Sequence, residues 1–141
     1  MRSFQFYNTF MESKELRLGN YILLAKDHTF VETNVPAGAI CKVQLIKSAT
    51  VGIDCVRTNC VCFAEIPISK VDPILLTEEW LYKCDFRKKE SGNITTYYHP
   101  LIELDAHFFP KGVDHTIEIK YLHQLQNIYF ALTGNELEID F

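Results

Sequence analysis

The chain has 141 residues, 48% of them hydrophobic and 23% charged, with a net charge of -4. That length supports one domain with a sizeable core, and that composition excludes disordered, fibrous and low-complexity classes. The acidic balance gives no long-range attraction for phosphate backbones, which excludes general nucleic-acid binding.

Residues 1 to 14 carry Phe4, Phe6, Tyr7 and Phe10 with little periodicity. They read as an N-terminal arm on a single domain spanning 1–141. The first ten residues lack the apolar core and cleavage site of an export signal, and no apolar run approaches the roughly 20 residues that cross a bilayer. A soluble, cytoplasmic protein without membrane association is expected. From Glu15 onwards the pattern is of strands between turn residues: Tyr21–Ala25, His28–Val31, Ile40–Ile46, Thr50–Cys55 and Cys60–Ile66. Cys41, Val43 and Leu45 alternate with Lys42 and Gln44, and Val51, Ile53 and Cys55 alternate with Thr50, Gly52 and Asp54, as in a sheet with one wet face. Short strands with short turns predict a small, strongly bent antiparallel sheet or partly open barrel in an α+β fold.

Pro67 and Pro73 bracket a connector and discourage a central strand there. A short helix follows near 77–85: Thr77 is an N-cap, Glu78 and Glu79 suit the positive helix end, and Leu76 with Leu81 has the spacing of a hydrophobic staple. Phe86–Lys89 and Ile94–His99 flank Ser91-Gly92-Asn93 as a hairpin, and Leu101–Ala106 continues the sheet. Thr116–Ile119 predicts a strand feeding a final amphipathic helix. In that helix Tyr121, Leu122, Leu125, Ile128, Tyr129 and Leu132 recur on one face, packed on the sheet, and Gly134 ends it. Asn135–Phe141 reads as a last strand laid back on the body.

Five cysteines, Cys41, Cys55, Cys60, Cys62 and Cys84, in a chain without an export signal predict reduced thiols and no disulfide scaffold. Cys55, Cys60 and Cys62 form a conceivable three-sulfur cluster. Zinc asks for four ligands, commonly from paired Cys-x-x-Cys knuckles, and neither knuckle is present. The thiols are read as small buried hydrophobes, and no metal or other cofactor is expected.

Three stretches, Glu15–Ile22, Pro73–Leu81 and Tyr121–Leu137, resemble a family of small proteins encoded by Bacteroidetes and their phages. Its members begin near a Leu-Arg-x-Gly-Asn-Tyr motif and end in a His-Gln-Leu-Gln-Asn-x-Tyr-Phe-Ala-Leu-Thr-Gly helix. The resemblance implies a phage or mobile-element origin and brings no activity with it. By its pattern a glycine stands where this chain has Asp85, so the helix end there is expected to be strained or capped differently. Its pattern also starts near Met11, which makes residues 1–10 an alternative start or an added arm.

Two groups of residues are candidate ligand-binding sites. Arg87, Lys88 and Lys89 lie across the predicted hairpin from Tyr97, Tyr98 and His99, joining cations to stacking rings as nucleotide sites do. On the final helix His123 and Asn127 lie one turn apart with Gln124 and Gln126 beside them, a set able to line a polar groove. The blander readings are good strand formers at a solvated edge, and a wet helix face in which His123 caps a neighbouring backbone group. No nucleophile motif, metal set or glycine-rich phosphate loop is present, so no catalytic residue is assigned and an enzyme is not expected. The expected role is a non-enzymatic binding protein, serving counter-defence, that captures a host protein or a small nucleotide-type ligand and self-associates as a homo-oligomer. The alternatives are an accessory component of a virion or replication complex and, behind it, a small nucleotide hydrolase.

Overall fold

Alternating apolar residues in the first half of the chain build an antiparallel sheet, and the second half adds a short helix, a hairpin and a longer helix, so the class is α+β. The computed structural model describes residues 11–30, 33–56, 63–112 and 117–141, and the chain divides into two units, 1–74 and 75–141.

In the first unit β1 (Tyr21–Leu24), β4 (Ile40–Ile46), β5 (Thr50–Cys55), β6 (Phe63–Pro67) and β7 (Val71–Asp72) form a strongly curled antiparallel half-barrel in the order β6-β5-β4-β1-β7. Period-two alternation sends Ile22, Leu24, Cys41, Val43, Val51, Ile53 and Ile66 into one buried cluster. The alternation expected for Leu45 fails. The register shifts between Val43 and Leu45, a bulge that turns Leu45 out to 36% exposure. The two prolines do their expected work, since β7 between them pairs among the described residues with β1 alone, at the sheet edge. β2 (His28–Phe30) and β3 (Thr33–Val35) pair as a separate two-stranded sheet. Met11 and Leu16 are buried in the same cluster, and the Ser13 hydroxyl donates to the Ser48 carbonyl at 3.0 Å. The chain from Met11 on is thus part of the body and not of an arm; residues 1–10, and Cys60–Cys62 of the expected strand, lie outside the described residues.

In the second unit Thr77 caps α1 (Glu78–Lys83), its Oγ1 accepting the Trp80 N–H at 3.3 Å, and Leu76 and Leu81 are both buried as a staple requires. The far end closes by a Schellman motif: Phe86 N–H reaches Leu81 O at 3.0 Å and Asp85 N–H reaches Tyr82 O at 3.1 Å. The motif demands a left-handed residue between them, and Asp85 supplies it at φ 67. An aspartate there stores about 1–2 kcal/mol that a glycine would not. β8 (Arg87–Ser91) and β9 (Ile94–Tyr98) form the hairpin, closed by Gly92 and Asn93, and β10 (Glu103–Asp105) adds to β9.

α2 (Leu122–Thr133) starts where the Gln124 side chain accepts the Lys120 and Tyr121 N–H groups at 2.8 and 3.1 Å, and stops at left-handed Gly134. Its buried stripe is Leu122, Leu125 and Tyr129 together with His123 and Gln126. The stripe is therefore rotated from the expected face toward the two polar residues. Tyr121 and Ile128 become half-buried margins and Leu132 is 48% exposed. Through Tyr129, whose ring meets that of His99 at 5.1 Å, the helix packs on the three-stranded sheet of its own unit. Among the described residues neither of the last two expected strands forms: 117–119 only approach the bridge between Leu75 and Tyr121, Thr116 lying outside the described residues, and 135–141 show no sheet pairing there. The tail is nonetheless held, by buried Leu137, by Asp140 N–H on Lys83 O at 2.8 Å, and by Phe141 edge-on to Trp80 at 6.0 Å. No helix among the described residues is long and apolar enough to cross a membrane.

Candidate functional site

The hairpin register decides which of the candidate residues meet. Arg87 lies opposite Tyr98, Lys88 opposite Tyr97 and Lys89 opposite Thr96, while Tyr98 and Tyr97 face Glu103 and Leu104 on β10. Because successive side chains point to opposite faces, Arg87, Lys89, Thr96, Tyr98 and Glu103 share one face and Lys88, Tyr97 and Leu104 the other.

The second face is structural. The buried Tyr97 hydroxyl donates to Glu78 Oε2 at 2.5 Å, and the Lys88 ammonium lies 3.3 Å from the same oxygen. The Tyr97 and Tyr82 hydroxyls and then Lys88 hold the Glu78 carboxyl below its ordinary range, while burial first and the bond to Glu78 second push the Tyr97 phenol up to about 12. The folded state thus favours the neutral phenol. That stability is fully present below the ordinary phenol value of 10.0 and is lost as pH rises through about 12. The urea midpoint is accordingly expected to fall across this alkaline window, and Tyr97→Phe to flatten the fall. A wild-type midpoint level through the window would show that the phenol is not held neutral.

The first face carries a groove of about 600 Å³ lined by Lys89, Ser91, Ile94, Thr96, Tyr98, Glu103 and Lys111, and Lys88 of the other face lines it as well. Tyr98 is 39% exposed there. Lys111 Nζ stands 3.4 Å from Thr96 Oγ1 and 3.4 Å from Glu103 Oε2, placed by the backbone bond from Lys111 N–H to Glu103 O at 2.9 Å. Arg87 stands opposite Tyr98 without lining the groove, and neither Arg87 nor Lys89 has an ion pair among the described residues. The groove therefore combines a ring, a hydroxyl and cations, of which Lys111 is already shared with Glu103 and Lys88 with Glu78 and Glu90.

His99 belongs elsewhere. It borders a second cavity of about 560 Å³ with Cys84, Asp85, Tyr129, Asn135 and Glu138, its ring 5.0 Å from Phe86 and its Nδ1 accepting the Leu101 N–H at 3.3 Å. Burial lowers the His99 pKa, with the Asp85 charge opposing. Burial also pushes the Cys84 thiol up to about 12, so it stays protonated and unreactive near neutrality. The carboxylates of this cavity disfavour a phosphate.

The helix set does not converge. His123 is buried with its ring stacked on Tyr121 at 5.8 Å, Gln124 is engaged as the helix cap, and Asn127 is half-buried. Of the nine candidate residues, Lys88, Lys89 and Tyr98 reach one groove. Thr96, Glu103 and Lys111 join them unforeseen. The alternation Ile94, Thr96, Tyr98 was visible as a signal, whereas the return of Lys111 depends on the bridge between Leu104 and Pro110. No group of His, Cys, Asp or Glu among the described residues is arranged to hold a metal ion; Cys60 and Cys62 lie outside them. No protein-family model, curated protein or solved structure matches this chain.

Proposed function

We propose that this chain is a non-enzymatic binding protein, of phage or mobile-element origin, that captures a small nucleotide-type ligand on the outer face of β8, β9 and β10. The observation that carries the reading is the exposed Tyr98 ring standing in one groove with Lys89, Thr96 and Lys111. A base stacks on a tyrosine for about 1–3 kcal/mol, and ammonium groups with a hydroxyl take phosphate oxygens. The groove volume of about 600 Å³ falls in the range of about 300–1,000 Å³ typical of small-molecule sites.

The test is thermal unfolding against a panel of linear and cyclic nucleotides. A ligand at about 100 times its dissociation constant adds roughly 2.7 kcal/mol, a shift well above noise. Tyr98→Ala is expected to weaken the responding nucleotide by about 5- to 150-fold, and Lys89→Ala to weaken it less and to flatten its salt dependence. Silence across the panel together with a large assembly in light scattering would favour the accessory-component reading. Turnover of a nucleotide that is abolished by one point substitution would overturn the non-enzymatic one.

A further inference from the structure

We infer that Cys41 and Cys55 form a redox modification site, a reversible disulfide across the two central strands of the first unit. Cys41 on β4 stands directly opposite Cys55 on β5, and their sulfurs lie 3.7 Å apart. Val56 N–H donates to Ile40 O at 2.9 Å. The neighbouring pair is therefore the hydrogen-bonded one, and Cys41 with Cys55 occupies the non-hydrogen-bonded position, where facing side chains approach most closely. A disulfide needs a sulfur separation of about 2.05 Å and Cα atoms about 4.4–6.8 Å apart. Facing residues at such a position have a Cα separation of about 4.5 Å, so bond formation takes side-chain rotation and a small strand adjustment, without repairing the sheet.

Access selects the oxidant and the order of events. Cys41 is fully buried and Cys55 is 9% exposed, so a small hydroperoxide such as hydrogen peroxide reaches Cys55 first. The Cys55 thiolate attacks one peroxide oxygen, the O–O bond breaks, and the sulfur becomes a sulfenic acid as hydroxide leaves. The Cys41 thiol then attacks the Cys55 sulfur, the S–S bond forms, and the sulfenic oxygen departs as water. Two thiols and one hydrogen peroxide give one disulfide and two waters, and a dithiol reductant reverses the result. The bond closes a loop between positions 14 apart on β4 and β5, which restricts the unfolded chain and raises the unfolding midpoint. This site is separate from the nucleotide groove and does not depend on it.

The experiment treats the folded full-length chain with hydrogen peroxide, alkylates remaining thiols after unfolding, and maps the peptides. Expected are a Cys41–Cys55 linked peptide, a loss of two alkylatable thiols from the five in the chain, a raised thermal midpoint, and reversal of all three by dithiothreitol. Cys41→Ala and Cys55→Ala are expected to abolish the midpoint shift, and Cys84→Ala to retain it. A link from Cys55 to Cys60 or Cys62, sulfinic acid at Cys55 without any link, or five thiols still alkylated would each overturn the assignment. The wild-type peptide map decides the matter even if an alanine variant fails to fold.

Discussion

Leu125→Ala is expected to remove about 2–5 kcal/mol of stability, the range for emptying a leucine site in a packed core. Leu125 is fully buried in the middle of the α2 stripe, with Leu122 one turn before it and Tyr129 one turn after. Part of the loss is the transfer of the side chain to water. The rest is the cavity left behind, because the helix is pinned at both ends and collapses only partially: by the Gln124 cap on Lys120 and Tyr121, and by Gly134 N–H on Phe130 O at 2.8 Å. Leu132→Ala, in the last turn and half exposed, supplies the internal comparison and is expected to change stability by less than about 0.5 kcal/mol. Urea unfolding of the two variants followed by circular dichroism makes the measurement. Equal losses at the two positions would show that the buried face had been assigned to the wrong side of the helix.

Gly52→Val is expected to destabilise by about 1–3 kcal/mol, although valine is the better strand former. A Cβ at Gly52 would lie 2.8 Å from Leu45 Cβ and 2.8 Å from Phe63 Cζ. Phe63 is half exposed, so its ring tip can swing away at little cost. Leu45 Cβ cannot, since it is one bond from a backbone already displaced by the bulge between Val43 and Leu45. Strand propensity spans only about 1 kcal/mol, so the steric term wins and sets the sign. The check is the unfolding midpoint of Gly52→Val beside that of Gly52→Ala, which has the same Cβ but less bulk. A gain in stability for either would mean that β4 shifts freely at this point.

What was legible in the sequence was whatever a few adjacent residues decide. Thr77 with Glu78 and Glu79, the Leu76 and Leu81 staple, the Gly92-Asn93 turn and Gly134 each act within one or two turns of chain, and each stands where local chemistry places it. Elements that depend on a partner were hidden. β3 runs against Pro36 and contains Asn34, both turn formers, and exists through pairing with β2. The bulge that evicts Leu45 reflects the approach of Gly52, a residue on another strand. The same division holds at the candidate site. Cations facing rings across the hairpin could be read directly, but which of them share a face required the register that separates Lys88 and Tyr97 from Lys89 and Tyr98. The sequence offers His123 a polar groove or a wet helix face; the helix instead buries it beside Tyr121, a choice made by tertiary packing.

One seam in the second unit has a consequence for how the molecule is made. Leu75 bridges Tyr121, Leu76 N–H bonds Lys120 O at 2.8 Å, and Asp140 N–H bonds Lys83 O at 2.8 Å. The earliest-synthesised part of this unit is thus sewn to the latest. A nascent chain therefore makes these seam contacts on either side of α1 only once the residues through Asp140 have emerged, so the seam closes last and is the part of this unit left for chaperones to shelter during translation.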